Sequence, residues 1–293
     1  MRLRSTPVRS RLVAVASGLS AAALLAGAAS ANVTLTQVSS DPYTNSTSQH
    51  AAQVEPDSFA YGNTIVAAAQ TGRFYDGGSS NICWATSTDA GATWANGCLP
   101  GITVHAASPG SATRVSDPAV AYDARHDAWL ISSLPLDANV RAMGVYTSRS
   151  TDGGLTWGNP ILVTDSQLGS VDKNWIVCDN TAASPYYGNC YTEWDNYGSG
   201  NRLLMSTSTD GGATWGSAKQ TGNAATGLGG QPVVQPNGTV IVPSANANET
   251  AIIAFSSSNG GSSWSSTTSI ATVKTHSVAG SLRTGPLPSA EVD

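Results

Sequence analysis

Apolar positions in this chain come in runs of strand length, such as 119–122 and 232–234, and glycine, asparagine, aspartate and serine break the chain between them. The pattern predicts strands joined by tight turns and excludes long amphipathic helices. One turn recurs four times: Ser87, Asp89, Gly91, Thr93, Trp94; Ser150, Asp152, Gly154, Thr156, Trp157; Ser208, Asp210, Gly212, Thr214, Trp215; and Ser257, Asn259, Gly261, Ser263, Trp264. Its form is S-x-D-x-G-x-T-W, and four copies in one chain are an internal repeat. The Asp or Asn side chain is expected to accept local backbone N–H bonds, the glycine to supply a positive φ, and the hydroxyls to close the loop. Asp89, Asp152, Asp210 and Asn259 are therefore read as turn-builders, because a side chain saturated by its own backbone has no lone pair left for acid–base chemistry.

A second repeat runs in step with the first. Glu55-Pro56-Asp57, Asp117-Pro118, Asp172-Lys173, Gln231-Pro232 and the segment around Pro288 and Glu291 each open an apolar run, with a period of about 57 residues. Each unit reads as four strands: an inner strand, a second, a third ending in the box, and a fourth beginning at its tryptophan. In the third unit these fall at about 173–178, 189–195, 202–208 and 215–220. Four-stranded units in tandem predict an all-β propeller of four complete blades plus the start of a fifth, with 33–38 as a candidate closing strand.

Composition narrows the class. Of 293 residues, 40% are hydrophobic and 11% charged, which excludes a disordered chain. An arginine-bearing start, an apolar stretch at 12–29 and the sequence Ala29-Ser30-Ala31 read as a secretory signal peptide over 1–31, leaving 32–293 as the propeller domain. Without Arg2, Arg4, Arg9 and Arg11, 10 basic residues face 19 acidic ones, a net charge of −9 that argues against nucleic acid as a partner. No later segment is long and apolar enough to span a bilayer. Export makes the four cysteines meaningful, and their local spacing predicts Cys83 with Cys98 and Cys178 with Cys190.

Chain direction sorts the loops into two ends. If inner strands start at one mouth, the loops between second and third strands and the links between units return there, while every box lies at the opposite end. Arg73, Asp76, Asp137, Arg141, Asp195, Tyr197 and Glu249 then share the mouth with Arg114 and Arg283 from the links, beside Glu55, Asp57, Asp117 and Asp172. Loops on a rigid scaffold are the usual seat of function.

With these boxes the chain, over about 55–272, resembles the sialidase superfamily, whose members carry Asp-box (BNR) repeats on six-bladed propellers. The resemblance implies a truncated six-bladed ring and a secreted, exo-sialidase-like glycoside hydrolase acting on extracellular glycans. In that family an arginine trio binds the sugar carboxylate, an aspartic acid serves as acid/base, and a glutamate activates a tyrosine nucleophile. The segment Gly72-Arg73-Phe74-Tyr75-Asp76 is similar to the family's stretch with an accessory arginine and the acid/base aspartate, which implies Asp76 as acid/base with Arg73 beside it. The remaining pattern departs: Val54 stands where the first arginine of the trio is expected, Gln231 where the glutamate is, and 244–246 hold no arginine. The tyrosine and third arginine would fall beyond Asp293. Arg114, Arg141 and Arg283 are the candidates to substitute in binding substrate, with Glu55, Asp57 and Asp117 around them. The alternative is a non-catalytic propeller that binds glycan or protein through the same mouth.

Other chemistries find no support. There is no G-x-S-x-G elbow, His-Glu-x-x-His pair, phosphate loop or Cys-x-x-Cys motif, so neither metal nor cofactor is expected. Residues 195–201 read as a plain turn rather than a calcium loop, and Trp129, Trp175 and Trp194 as core rather than sugar platforms.

Overall fold

Seventeen strands, all paired antiparallel, run through the computed structural model, which describes residues 35–165, 170–280, 282 and 284–292. The expected signal peptide and Arg283 lie outside the described residues, and the closing strand expected at 33–38 is not formed over its described part. No helix among the described residues is long and apolar enough to cross a membrane.

The strands fall into four successive meanders. The first contains β1 (Gln53–Tyr61), β2 (Thr64–Arg73), β3 (Ser79–Ser87) and β4 (Ala95–Cys98). The second contains β5 (Arg114–Asp123), β6 (Ala128–Leu136), β7 (Gly144–Ser150) and β8 (Ile161–Asp165), and touches the first through the pair Ser79 and Val115. The third, β9 (Val171–Cys178), β10 (Cys190–Asn196), β11 (Arg202–Ser208) and β12 (Lys219–Gln220), matches the four-strand unit expected from the repeat. In the fourth, the inner strand is split into β13 (Gly227–Leu228) and β14 (Val233–Val234), both paired with β15 (Val240–Asn246), followed by β16 (Ala251–Ser257) and β17 (Thr268–Thr272). Meanders of this kind packed face to face are propeller blades. Residues 284–292 form no strand.

The core lies in the seams between meanders. Trp84, Ile82, Val120, Trp129 and Trp157 fill the first seam, Leu134, Val145, Val171 and Trp194 belong to the second, and Tyr191, Met205, Val242, Phe255 and Trp264 fill the third. This double-sided packing explains why β3 and β6 are buried along their whole length. Both expected disulfides are present, and each clamps a directly opposed cross-strand pair: Cys83–Cys98 between β3 and β4, Cys178–Cys190 between β9 and β10.

The repeated turns form as their chemistry requires. Asp89 accepts from the Thr93 N–H at 2.8 Å, the Thr93 hydroxyl at 2.6 Å and the Ser87 hydroxyl at 2.8 Å. Asp152 and Asp210 repeat the set, and Asn259 accepts from the Ser263 N–H while its own amide donates to the Ser263 hydroxyl. Those bonds hold Asp89 and Asp152 ionised, pulling each carboxyl down to about 2. The glycines also do something the pattern does not reveal. Gly154, Gly212 and Gly261, with φ of 82°, 78° and 76°, press on the preceding meander, where an added Cβ would come within 2.8 Å of Val66, 2.5 Å of Leu130 and 2.1 Å of Thr207. The turns are thus contacts between blades as well as chain reversals.

Candidate functional site

The inner strands carry a shared irregularity. In β1 the ladder to β2 slips between Val54 and Asp57, and in β5 the ladder to β6 slips between Ser116 and Ala119. In the third meander the slip is between Glu193 and Asp195 on β10, opposite Lys173 and Asn174. At each bulge one residue that is not glycine takes a left-handed backbone: Glu55 at φ 50°, Asp117 at φ 50° and Lys173 at φ 56°. Such conformations cost on the order of 1–3 kcal/mol each and gather where a fold re-aims side chains for function. Three equivalent positions on three successive inner strands therefore point to one place.

That place is a cavity of about 880 Å³. Glu55, Asp57, Asp117, Asp172 and Lys173 line it from the inner strands, Arg73, Tyr75 and Asp76 from the end of β2 and the link to β3, and Tyr197 from the link after β10. Gln231, Leu287 and Pro288 line it from the fourth meander and beyond. Arg73 pairs with Ser79 at one end of β3, and the first box begins at Ser87 at the other. At about 3.3 Å per residue the strand separates the two by roughly 26 Å, so mouth and boxes occupy opposite ends as the chain direction implies.

Each described basic group near the mouth is engaged. Arg114 donates to Asp76 at 2.5 Å and to the Gly77 carbonyl at 3.1 Å, and its guanidinium lies 4.5 Å over the Phe74 ring. Arg73 donates to the carbonyls of Phe74 and Tyr75, fixing its own turn. Lys173 stands 3.6 Å from Asp117, whose other oxygen accepts from Ser116. Arg141 lies outside the cavity lining, with Nε and Nη2 on Asp137 at 2.9 and 2.7 Å. Asp137, four residues earlier in the same loop, holds the guanidinium at the rim, while Val140 and Ala142 on either side of Arg141 line the cavity.

The carboxyls are driven apart in pKa. The hydrogen bond from Arg114 holds Asp76 below the usual carboxylate range. Burial pushes Asp57 up, opposed by the Val120 N–H, which donates to it at 2.6 Å from the neighbouring meander. Beneath the mouth sit two buried acidic groups, Asp195 and Glu193. Asp195, at the end of the strand expected over 189–195 and expected to reach the mouth with Tyr197, lies on β10 and is 1% exposed, with no hydrogen-bond partner on either oxygen. Burial, then the charge of Asp172, push it up to about 8. Glu193, two residues earlier on the same face, is fully buried and raised well above the carboxylate range by burial and by Asp195. The Gly230 backbone lies against its carboxyl, so that a Cβ there would come within 2.6 Å. Period-two alternation places Tyr191, Glu193 and Asp195 on one face of β10, and that was the available signal.

Among tryptophans, Trp129 and Trp194 are core, and Trp175 packs against the core around Leu130 and Ile176 while also lining the cavity. Residues Tyr197–Ser199 form a 3-10 turn capped by Asn196 and by Gly200 in the left-handed region. Among the described residues no cluster of three metal-ligating side chains is found.

No protein-family profile matches the chain, and no curated protein matches it in sequence. Solved structures do match in fold. The intramolecular trans-sialidase from Ruminococcus gnavus aligns at a TM-score of 0.56 and 13% identity over 80% of this chain and 73% of its own. The Hadza microbial sialidase Hz136 aligns at 0.50 and 17% identity over 71% of this chain, which spans only 45% of that protein. An exo-beta-1,3-galactanase from Phanerochaete chrysosporium aligns at 0.51 and 14% identity, covering 80% of this chain and 54% of its own. The fold is therefore the sialidase-like β-propeller, shared with glycosidases of more than one kind.

Proposed function

We propose that the protein is a secreted glycoside hydrolase of the Asp-box propeller type that works on extracellular glycans in the mouth of its inner strands. The observation that carries this reading is a pair of cavity-lining carboxyls with opposed pKa shifts, Asp57 raised by burial and Asp76 lowered by Arg114. Two carboxyls held in such opposed environments in one cavity can divide the acid and base roles between them. Asp57, whose carboxyl is raised by burial, is assigned the acid that gives its proton to the leaving oxygen. Asp76 is the ionised partner, because its pairing with Arg114 stabilises the carboxylate form. Asp76 thus keeps the acid–base role implied by the family resemblance, but as the basic half. Arg73 positions it by fixing the Phe74–Tyr75 turn.

The experiment is turnover of chromogenic glycosides by the wild type, Asp57→Asn and Asp76→Asn, with melting temperatures alongside. Asparagine at position 57 can still accept from the Val120 N–H, so the fold is expected to survive while turnover falls by about 10²-fold or more. Asp76→Asn is expected to abolish the acid limb of the pH–rate profile. Full turnover in both variants would refute the assignment. Binding of a glycan by the wild type without any turnover would favour the non-catalytic module, a reading supported by the Val120 bond that ties Asp57 into the scaffold.

A further inference from the structure

We infer that the mouth is built for an uncharged sugar ring and not for a sugar bearing a carboxylate. The inference deepens the glycan-processing reading and rests on it for the location of the ligand. Its basis is the charge inventory of the cavity. Among the described residues five acidic side chains line it, against Arg73 and Lys173. Protonation of Asp57 still leaves the carboxylates in excess.

The described cations also have fixed employment. An anionic sugar is captured by guanidinium groups that offer parallel N–H donors. Here Arg114 is spent on Asp76, the Gly77 carbonyl and the Phe74 ring. Arg73 is spent on two carbonyls of its own turn, and Lys173 faces Asp117. Arg141 is held at the rim by Asp137. Recruiting Arg114 for a substrate carboxylate would strip Asp76 of its partner inside an already acidic cavity. Asp195, below the floor beside Asp172 and Lys173, adds further negative charge whenever it ionises.

The same surface suits a neutral polyol. Carboxylates accept hydroxyl hydrogens in pairs, and aromatic faces cover the C–H surface of a pyranose. Tyr75, 85% exposed, and Tyr197, 50% exposed, stand at the edge of the cavity, with Trp175 farther in.

The test uses the whole chain and 4-nitrophenyl galactosides, glucosides and mannosides, set against an aryl sialoside and an aryl glucosaminide. Turnover is followed in the wild type, and binding in Asp57→Asn and Asp57→Asn/Tyr75→Ala. The expected result is binding of at least one neutral glycoside, no detectable binding of the sialoside, and a loss of roughly three- to tenfold with Tyr75→Ala, the worth of one aromatic face. Preference for the sialoside or the glucosaminide would overturn the inference while leaving the hydrolase reading intact. Binding of the neutral glycoside without wild-type turnover would uphold the inference and overturn the hydrolase reading. Absence of binding by every neutral glycoside would overturn the inference.

Discussion

Replacing Asp195 by asparagine should make the protein more stable as pH rises above about 4, and the size of the gain follows from its burial on β10. The carboxyl is 1% exposed, finds no hydrogen-bond partner, and is pushed from its ordinary 3.8 up to about 8. A raised carboxyl means that the native state holds its proton after the unfolded chain has released it. Stability from this group is therefore fully present below about pH 4 and drains away as pH rises to about 8, then levels off. At about 1.4 kcal/mol per pH unit, the loss is of order 2 kcal/mol by pH 5 and 5 kcal/mol by pH 8. Asparagine keeps the shape of the protonated acid and cannot ionise. Urea unfolding of wild type and Asp195→Asn at several pH values between 5 and 8, with disulfides intact, gives the difference between the two proteins at each pH. That difference should move toward the variant by about 3 kcal/mol across the interval. A difference that stays flat within about 0.5 kcal/mol would show that Asp195 ionises freely in the native state, and the burial argument would fail.

Two further outcomes follow from the scaffold. Gly91 and Gly212 share a left-handed backbone, but only Gly212 presses on a neighbouring strand, with Leu130 within 2.5 Å of an added Cβ against 3.8 Å for the nearest atom at Gly91. Alanine should cost about 1 kcal/mol at Gly91 from backbone conformation alone and about 1–3 kcal/mol more at Gly212, read as melting temperature; equal losses would remove the turns from the blade interface. Replacing Cys178 and Cys190 together by serine opens a loop with a separation of 12 residues, which should lower stability by about 3 kcal/mol on the chain-entropy account, measured by denaturant unfolding against the oxidised wild type.

The parts of this structure that could be read from the chain are those whose causes are local. A box such as Ser87-Asp89-Gly91-Thr93 closes on its own atoms, so its partners are within six residues, and the strand that precedes it and the disulfide Cys178–Cys190 follow from the same short range. The direction of the chain then sorted the ends, which is why Glu55, Asp57, Asp76, Asp117 and Asp172 do line one cavity. Pairing across blades was not legible in this way. Whether Arg114 is available to a ligand is decided by Asp76, 38 residues away, and Asp57 is raised by burial against a strand that begins more than fifty residues later. Asp195 shows the intermediate case. Its alternation with Tyr191 put it on the buried face, yet an acidic residue next to Asn196 at the end of a strand looks like the start of a loop. Chemistry in a propeller mouth is assembled from groups on different blades, so the turn sequence that specifies the scaffold is silent about charge at the site. Which described cations near the mouth are already engaged emerges only once the blades are packed together.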